Sequence, residues 1–203
     1  MPLLSYEIIK EFFNVNLLYL LNYADIESSK TGYDSIFFSE KSVFVVEYKS
    51  SIQSLNVTET IKKVEEGIES LFFKDSRNLS SLYYCSGEAQ QIINSAIKTK
   101  IKDTVKFMIA NYDNPSALIA NSDIAFNVCI ISPLNANIDQ VDAEIRNNFL
   151  TCDNCQWKVC RGSKCIKKPE GQDKIKLINI MHLKVGTDFT LESLYNSLTN
   201  LLG

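Results

Sequence analysis

Glycine and proline are scarce in this chain, 7 and 4 of 203 residues, which excludes a collagen-like repeat and a Gly/Pro-rich disordered composition. A surplus of one charge is missing too. With 24 acidic and 21 basic residues the net charge is −3, so no positive coat is spread over the molecule and any nucleic-acid contact has to be local. Long hydrophobic runs are absent: Leu17-Leu18-Tyr19-Leu20-Leu21 falls well short of the ~20 residues a membrane span needs. Glu7, Lys10 and Glu11 break up the first residues, so no secretory signal is expected. The expectation is a cytoplasmic protein with reduced thiols and no membrane partner. Histidine occurs once, His182 in an apolar segment, without a nucleophile elbow or reactive-cysteine signature, which leaves Ser-His-Asp and Cys-His hydrolases unsupported. A Gly-rich phosphate loop is lacking as well, so nucleotide hydrolysis and hydride transfer are unsupported. If the protein works with an ATPase, the motor is another chain.

The chain does carry ample apolar material, 45% of residues against 22% charged. At this length a fold should bury about 70% of the surface its unfolded chain exposes, enough for one core without disulfides. Residues 1–203 are therefore read as one domain, with a Cys-rich insertion at about 151–170.

Periodicity gives the elements. Leu4, Ile8, Ile9, Phe12 and Phe13 predict an amphipathic helix over 4–22. Residues 34–39 and 42–49 are β-branched and aromatic around Glu40-Lys41 and predict a hairpin. Ile61, Val64, Ile68, Leu71 and Phe72 place a helix at 57–73, and a mostly helical segment is expected over 88–110. Residues 125–133 predict a buried strand and 137–150 a helix. A strand at 174–185 and a helix at 190–202 complete the order. A mixed sheet flanked by helices, an α/β fold, accommodates it best.

The hairpin carries the chemistry. Asp34 opens its first strand and the second ends in Glu47-Tyr48-Lys49. Alternation puts Glu47 and Lys49 on one face and Tyr48 on the other, and pairing across the turn can bring Asp34 close to Glu47. Two carboxylates supply the hard oxygens Mg²⁺ prefers, and a lysine ammonium can orient water or offset charge on a phosphate. Phosphodiester hydrolysis is the chemistry this suits. The same residues also read as a strand-end ion pair with Asp34 starting a turn. Val43, Phe44, Val45 and Val46 mark the strand as buried on both faces, so charges at its end need partners or a metal.

An Asp on one strand, Glu-x-Lys on the next after a short turn, then a helix: this constellation resembles the PD-(D/E)xK nuclease superfamily. The resemblance implies a restriction-endonuclease-like mixed sheet flanked by helices. It also implies Mg²⁺ or Mn²⁺ held by Asp34 and Glu47, with the Tyr48 backbone carbonyl as a further ligand, and Lys49 positioning the attacking water. A further acidic residue on the preceding helix is implied, a part Glu7 or Glu11 could take. More narrowly, Glu-Tyr-Lys-Ser-Ser, the helix reading Gly67-Ile68-Glu69-Ser70-Leu71-Phe72, and the strand ending Ile-Ser-Pro-Leu look like the nuclease subunit of the Hachiman antiphage system. That resemblance implies action on DNA with a helicase/ATPase partner.

Cys152, Cys155, Cys160 and Cys165 follow the spacing C-x2-C-x4-C-x4-C. Four crowded thiolates suit tetrahedral Zn²⁺, with an iron-sulfur cluster or reduced thiols as alternatives. The spacing resembles a zinc knuckle with Cys160 where His usually stands. Residues 152–168 hold Lys158, Arg161, Lys164, Lys167 and Lys168 against Asp153. Five positive charges against one give this segment +4, so the rest of the chain carries −7. With Trp157, such a segment suits phosphate contact and base stacking, or else a solvated loop. The rival to a nuclease is a non-catalytic nuclease-like scaffold whose finger binds nucleic acid or a partner protein.

Overall fold

The computed structural model describes residues 14–20, 32–51, 53, 55–72, 75–132, 139, 140, 143, 160, 161, 164, 165 and 178–184. In chain order these hold β1 (Asn16–Leu20), β2 (Ser35–Phe38), β3 (Val43–Ser50), α1 (Val57–Phe72), α2 (Asp75–Glu88), α3 (Ser95–Ala110) and α4 (Pro115–Ala120). They continue with β4 (Ile124–Ser132), β5 (Cys160–Arg161), β6 (Lys164–Cys165) and β7 (Ile178–Lys184).

One five-stranded sheet runs in the order β1-β2-β3-β4-β7. Its first three strands form an antiparallel meander, while β4 lies parallel to β3, and β7 parallel to β4. The β2–β3 turn is closed by Ser39, whose Oγ accepts from the backbone N–H groups of Lys41 (3.1 Å) and Ser42 (3.2 Å), a serine turn of the kind short polar residues favour. Parallel pairing demands a crossover, and α1 to α4 fill the segment between β3 and β4. The inner strand β4 is buried along nearly its whole length, as expected of a parallel strand covered on both faces.

Helix α1 begins at a reciprocal cap. Asn56 Oδ1 accepts from Glu59 N–H at 2.9 Å and Glu59 Oε2 accepts from Asn56 N–H at 3.0 Å, which satisfies two donors the first turn would otherwise leave open. Its buried face, including Val64, Gly67, Ile68, Leu71 and Phe72, packs with Ile36, Val43, Val45, Phe126, Val128 and Ile130 in the main core. The opposite sheet face buries a smaller cluster of Val15, Phe37, Val46, Cys129 and Ile131. Gly67 fixes how near α1 comes to the sheet: a Cβ there would lie 2.5 Å from Val128 Cγ1.

The hairpin, the helix expected at 57–73 and the strand expected at 125–133 correspond to β2, β3, α1 and β4. The helix expected across 4–22 does not hold at its end, because residues 16–20 are strand β1. Asn14 takes a left-handed turn at φ 49°, tolerable for Asn, and β1 then joins β2 from Asn16↔Phe38 to Leu20↔Ser35. The register shift between Leu17 and Tyr19 hides the alternation a strand would show. The segment expected as helical over 88–110 is divided. Ala89–Gln91 is a 3₁₀ turn and Ile92 is extended. Asn94 Oδ1 then caps α3 by accepting from Ala96 and Ile97 N–H. Helices α2 and α4 were not expected. The strand expected at 174–185 is β7. Residues 139, 140 and 143 are helical; the rest of 137–150, all of 190–202 and residues 4–13 lie outside the described residues.

Gly67→Ala should destabilise the protein by about 1–2 kcal/mol, because overpacking at Val128 costs about 1–3 kcal/mol and the helix-propensity gain offsets at most about 1. Chemical denaturation of the two proteins measures the difference; an Ala variant at least as stable as the wild type would show the contact to be slack.

Candidate active site at the end of strand β3

Strand parity decides which residues meet the helical layer. Val43 and Val45 belong to the main core and Val46 to the opposite cluster. Glu47 and Lys49 therefore face α1 while Tyr48 faces away, as alternation predicts. Glu47 is only 5% exposed, and such a charge needs a partner. Lys49 supplies it, with Nζ 2.7 Å from Glu47 Oε1. The same ammonium donates to Ser70 Oγ on α1 at 3.1 Å, and Ser70 is itself buried. An ammonium has three donors. Two are committed to these partners, and the third meets no acceptor among the described residues. Glu47 Oε2 likewise accepts no hydrogen bond from a described residue.

Asp34 stands one residue before β2. Its Oδ2 accepts from Tyr48 N–H at 2.7 Å, taking over the ladder position just past the Ser35↔Val46 pair. In a strand a residue's N–H and C=O point to the same side, so the Tyr48 carbonyl is also directed toward Asp34. On the reverse face Ser35 Oγ donates to Tyr48 Oη at 3.0 Å. Asp34, Glu47, Tyr48 and Lys49 thus lie at one strand end, Asp34 bonded to the Tyr48 backbone and Lys49 to Glu47, with Ser70 reaching Lys49 from the helix. Lys49 charge also reaches along α1. The Glu66 carboxyl is held below the usual carboxylate range, first by the hydrogen bond from Lys63, with the charges of Lys62 and Lys49 adding to it.

Ser70 escaped the sequence reading. The signal that could have found it is a small polar residue one turn after Gly67 on the buried face of α1, the face that the parity of Val43 and Val45 turns toward Lys49.

Among the described residues no three His, Cys, Asp or Glu side chains gather as a metal cluster. Glu7, Glu11, Cys152, Cys155, Trp157, Lys158, Lys167 and Lys168 lie outside the described residues. In the Cys-rich segment, β5 and β6 pair with Cys160 opposite Cys165 and Arg161 opposite Lys164. Cys85 and Cys129 are buried free thiols. Burial pushes both up, Cys129 to about 12, so neither is a nucleophile at neutral pH. No helix among the described residues is long and apolar enough to cross a membrane. No family model, curated protein or solved structure matches this chain.

Two outcomes follow from this geometry. Alkylation of the native protein at pH 8 should leave Cys85 and Cys129 unmodified, since a thiol titrating near 12 is about one part in 10⁴ thiolate there; peptide mass mapping after labelling reads this, and modification of either without unfolding would contradict the burial. Lys49→Met should cost about 1–3 kcal/mol by leaving Glu47 buried without its cation, and Glu47→Gln in the same chain should recover part of that. Denaturant midpoints of the two single variants and the double variant measure the coupling, and strictly additive effects would show that the pair contributes nothing.

Proposed function

We propose that this chain is a divalent-metal-dependent deoxyribonuclease of restriction-endonuclease-like fold, the nuclease component of an antiphage defence system that works with a helicase or ATPase partner. The observation that carries the reading is the ammonium of Lys49, seated on the buried Glu47 carboxylate with one donor uncommitted among the described residues, beside Asp34 at the same strand end. The order of strand, turn, Glu-x-Lys strand and helix supports it through the PD-(D/E)xK resemblance. The Hachiman resemblance supports the defence role, DNA as substrate and the partner.

The donor set fits a hard divalent cation: Asp34, Glu47 and the Tyr48 carbonyl offer only oxygen. These residues would hold Mg²⁺ or Mn²⁺, which supplies charge to the scissile phosphate and acidity to a bound water. Asp34 keeps the Tyr48 backbone in place through its bond to the N–H, so the carbonyl stays oriented. Lys49 donates its third N–H to the attacking water or a phosphate oxygen and offsets the charge that develops there. Val43 and Val45 exclude water from the inner side of the strand. Glu7 or Glu11 would add a carboxylate.

In the second part of the proposal, Cys152, Cys155, Cys160 and Cys165 bind Zn²⁺, consistent with residues 160 and 165 being cross-strand partners, which brings two of the four ligand positions near each other. Trp157, Lys158, Arg161, Lys164, Lys167 and Lys168 then give DNA a basic, aromatic contact outside the acidic body.

The test is cleavage of plasmid and linear DNA with Mg²⁺ or Mn²⁺, alone and with a candidate helicase partner. Wild type should cleave, and Glu47→Ala and Lys49→Ala should lose at least 10²-fold, the scale of a removed catalytic group. Cleavage that survives in either variant would sink the assignment. Salt-sensitive DNA binding without cleavage under any condition would favour the scaffold reading, which the ion-paired, nearly inaccessible Glu47 also suits.

A further inference from the structure

The Lys49–Glu47 contact poses a difficulty for a metal-dependent site. Glu47 Oε1 is occupied by the ammonium at 2.7 Å, and a carboxylate that turns to a cation gives up part of its hold on a lysine. Lys49 stands on the same face two residues further along the strand, with a long flexible stem and a side chain 18% exposed. Released from Glu47 alone, its ammonium would leave for water, because rotamer entropy and hydration both draw it out.

The second acceptor is what prevents this. Ser70 Oγ lies 3.1 Å from Nζ, is itself buried, and belongs to a different element from Glu47. Its place does not depend on the strand end: Gly67, one turn earlier, holds α1 against Val128, and Leu71 and Phe72, which follow Ser70, are core residues. Residues three apart on a helix share a face, so the close approach at Gly67 sets the height at which Ser70 meets Lys49.

We infer that Ser70 is the positioning residue for Lys49, the acceptor that keeps the ammonium inside the site when Glu47 turns to the cation. This rests on the metal-dependent nuclease reading. Ser70 acts through Lys49, to which its Oγ is bonded.

The test uses the full chain with ¹⁵N-labelled lysine side chains, the Lys49 ammonium signal being assigned by its loss in Lys49→Arg. Mg²⁺ alone is titrated in. In the wild type the signal should shift as the Glu47 contact loosens and remain visible, protected from exchange with water by Ser70. In Ser70→Ala it should be visible without Mg²⁺ and lost with it, and Ser70→Thr, which keeps the hydroxyl, should restore it. Ser70→Cys, of similar volume and a poor acceptor, should behave as Ala does and serves if the Ala variant folds badly. In the cleavage assay Ser70→Ala should lower kcat roughly 10-fold with KM for DNA changed less than about twofold, the scale of one hydrogen bond to a charged group. A Lys49 signal indifferent to Mg²⁺, or persisting equally in Ser70→Ala, overturns the inference, as does an active Ser70→Ala with unchanged kcat. A wild type that cleaves no DNA while the Lys49 signal behaves as described removes the nuclease reading and leaves the anchoring by Ser70 standing.

Discussion

A carboxylate held almost out of water at the end of a strand is the constraint around which this structure is arranged. β3 is flanked by β2 and β4 and covered on both faces, so Glu47 cannot rely on solvent. Burying an unpaired carboxylate would cost several kcal/mol, a large part of the whole stability of a domain. Lys49 offsets that cost through the ion pair, and Ser70 gives the ammonium a second acceptor from α1. The seat of α1 therefore matters electrostatically as well as sterically. A helix standing one methyl group further from the sheet would carry Ser70 away from Nζ.

The same strand end is fixed from its other side. Asp34 and Ser35 are consecutive, yet they engage Tyr48 at opposite ends: Asp34 takes the backbone N–H and Ser35 the phenol. The aromatic side chain thereby ties the smaller core cluster to the polar site. Tyr48 contributes its backbone to one face's chemistry and its ring to the other face's packing, so the two sides of the sheet are not independent at this point.

How much of this was legible in the sequence varied with how local the cause was. The hairpin, α1 and β4 announce themselves through β-branched runs and a clean helical stripe, and the shared face of Glu47 and Lys49 follows from alternation alone. β1 was hidden because its pairing with β2 is a tertiary event and its bulge at Leu18 breaks the period. The signal that was there, Asn14 as a residue able to adopt a left-handed turn, is weak by itself. α2 was missed because its serines, asparagine and Gly87 blur the stripe, although Leu82 and Cys85 do share its buried face. At the site, Asp34, Glu47 and Lys49 could be named in advance. Ser70 could not, because its role depends on how close two layers come, and only the three-dimensional contact at Gly67 sets that distance.

The parallel pairing of β3 with β4 bears on the order in which the molecule is made. The described residues of the strand-end site lie between 34 and 70, yet β3 finds its parallel neighbour only beyond residue 123, and Asn127 Nδ2 reaches back across 82 positions of sequence to the Val45 carbonyl. Such distant closure is slow and must wait for the later strand. On the ribosome, where N-terminal segments emerge first, a half-synthesised chain would already carry the charged residues without the partner strand that holds them in register. The site is thus tied to completion of the sheet. Premature termination before β4 leaves Glu47 and Lys49 in water, as ordinary solvated side chains.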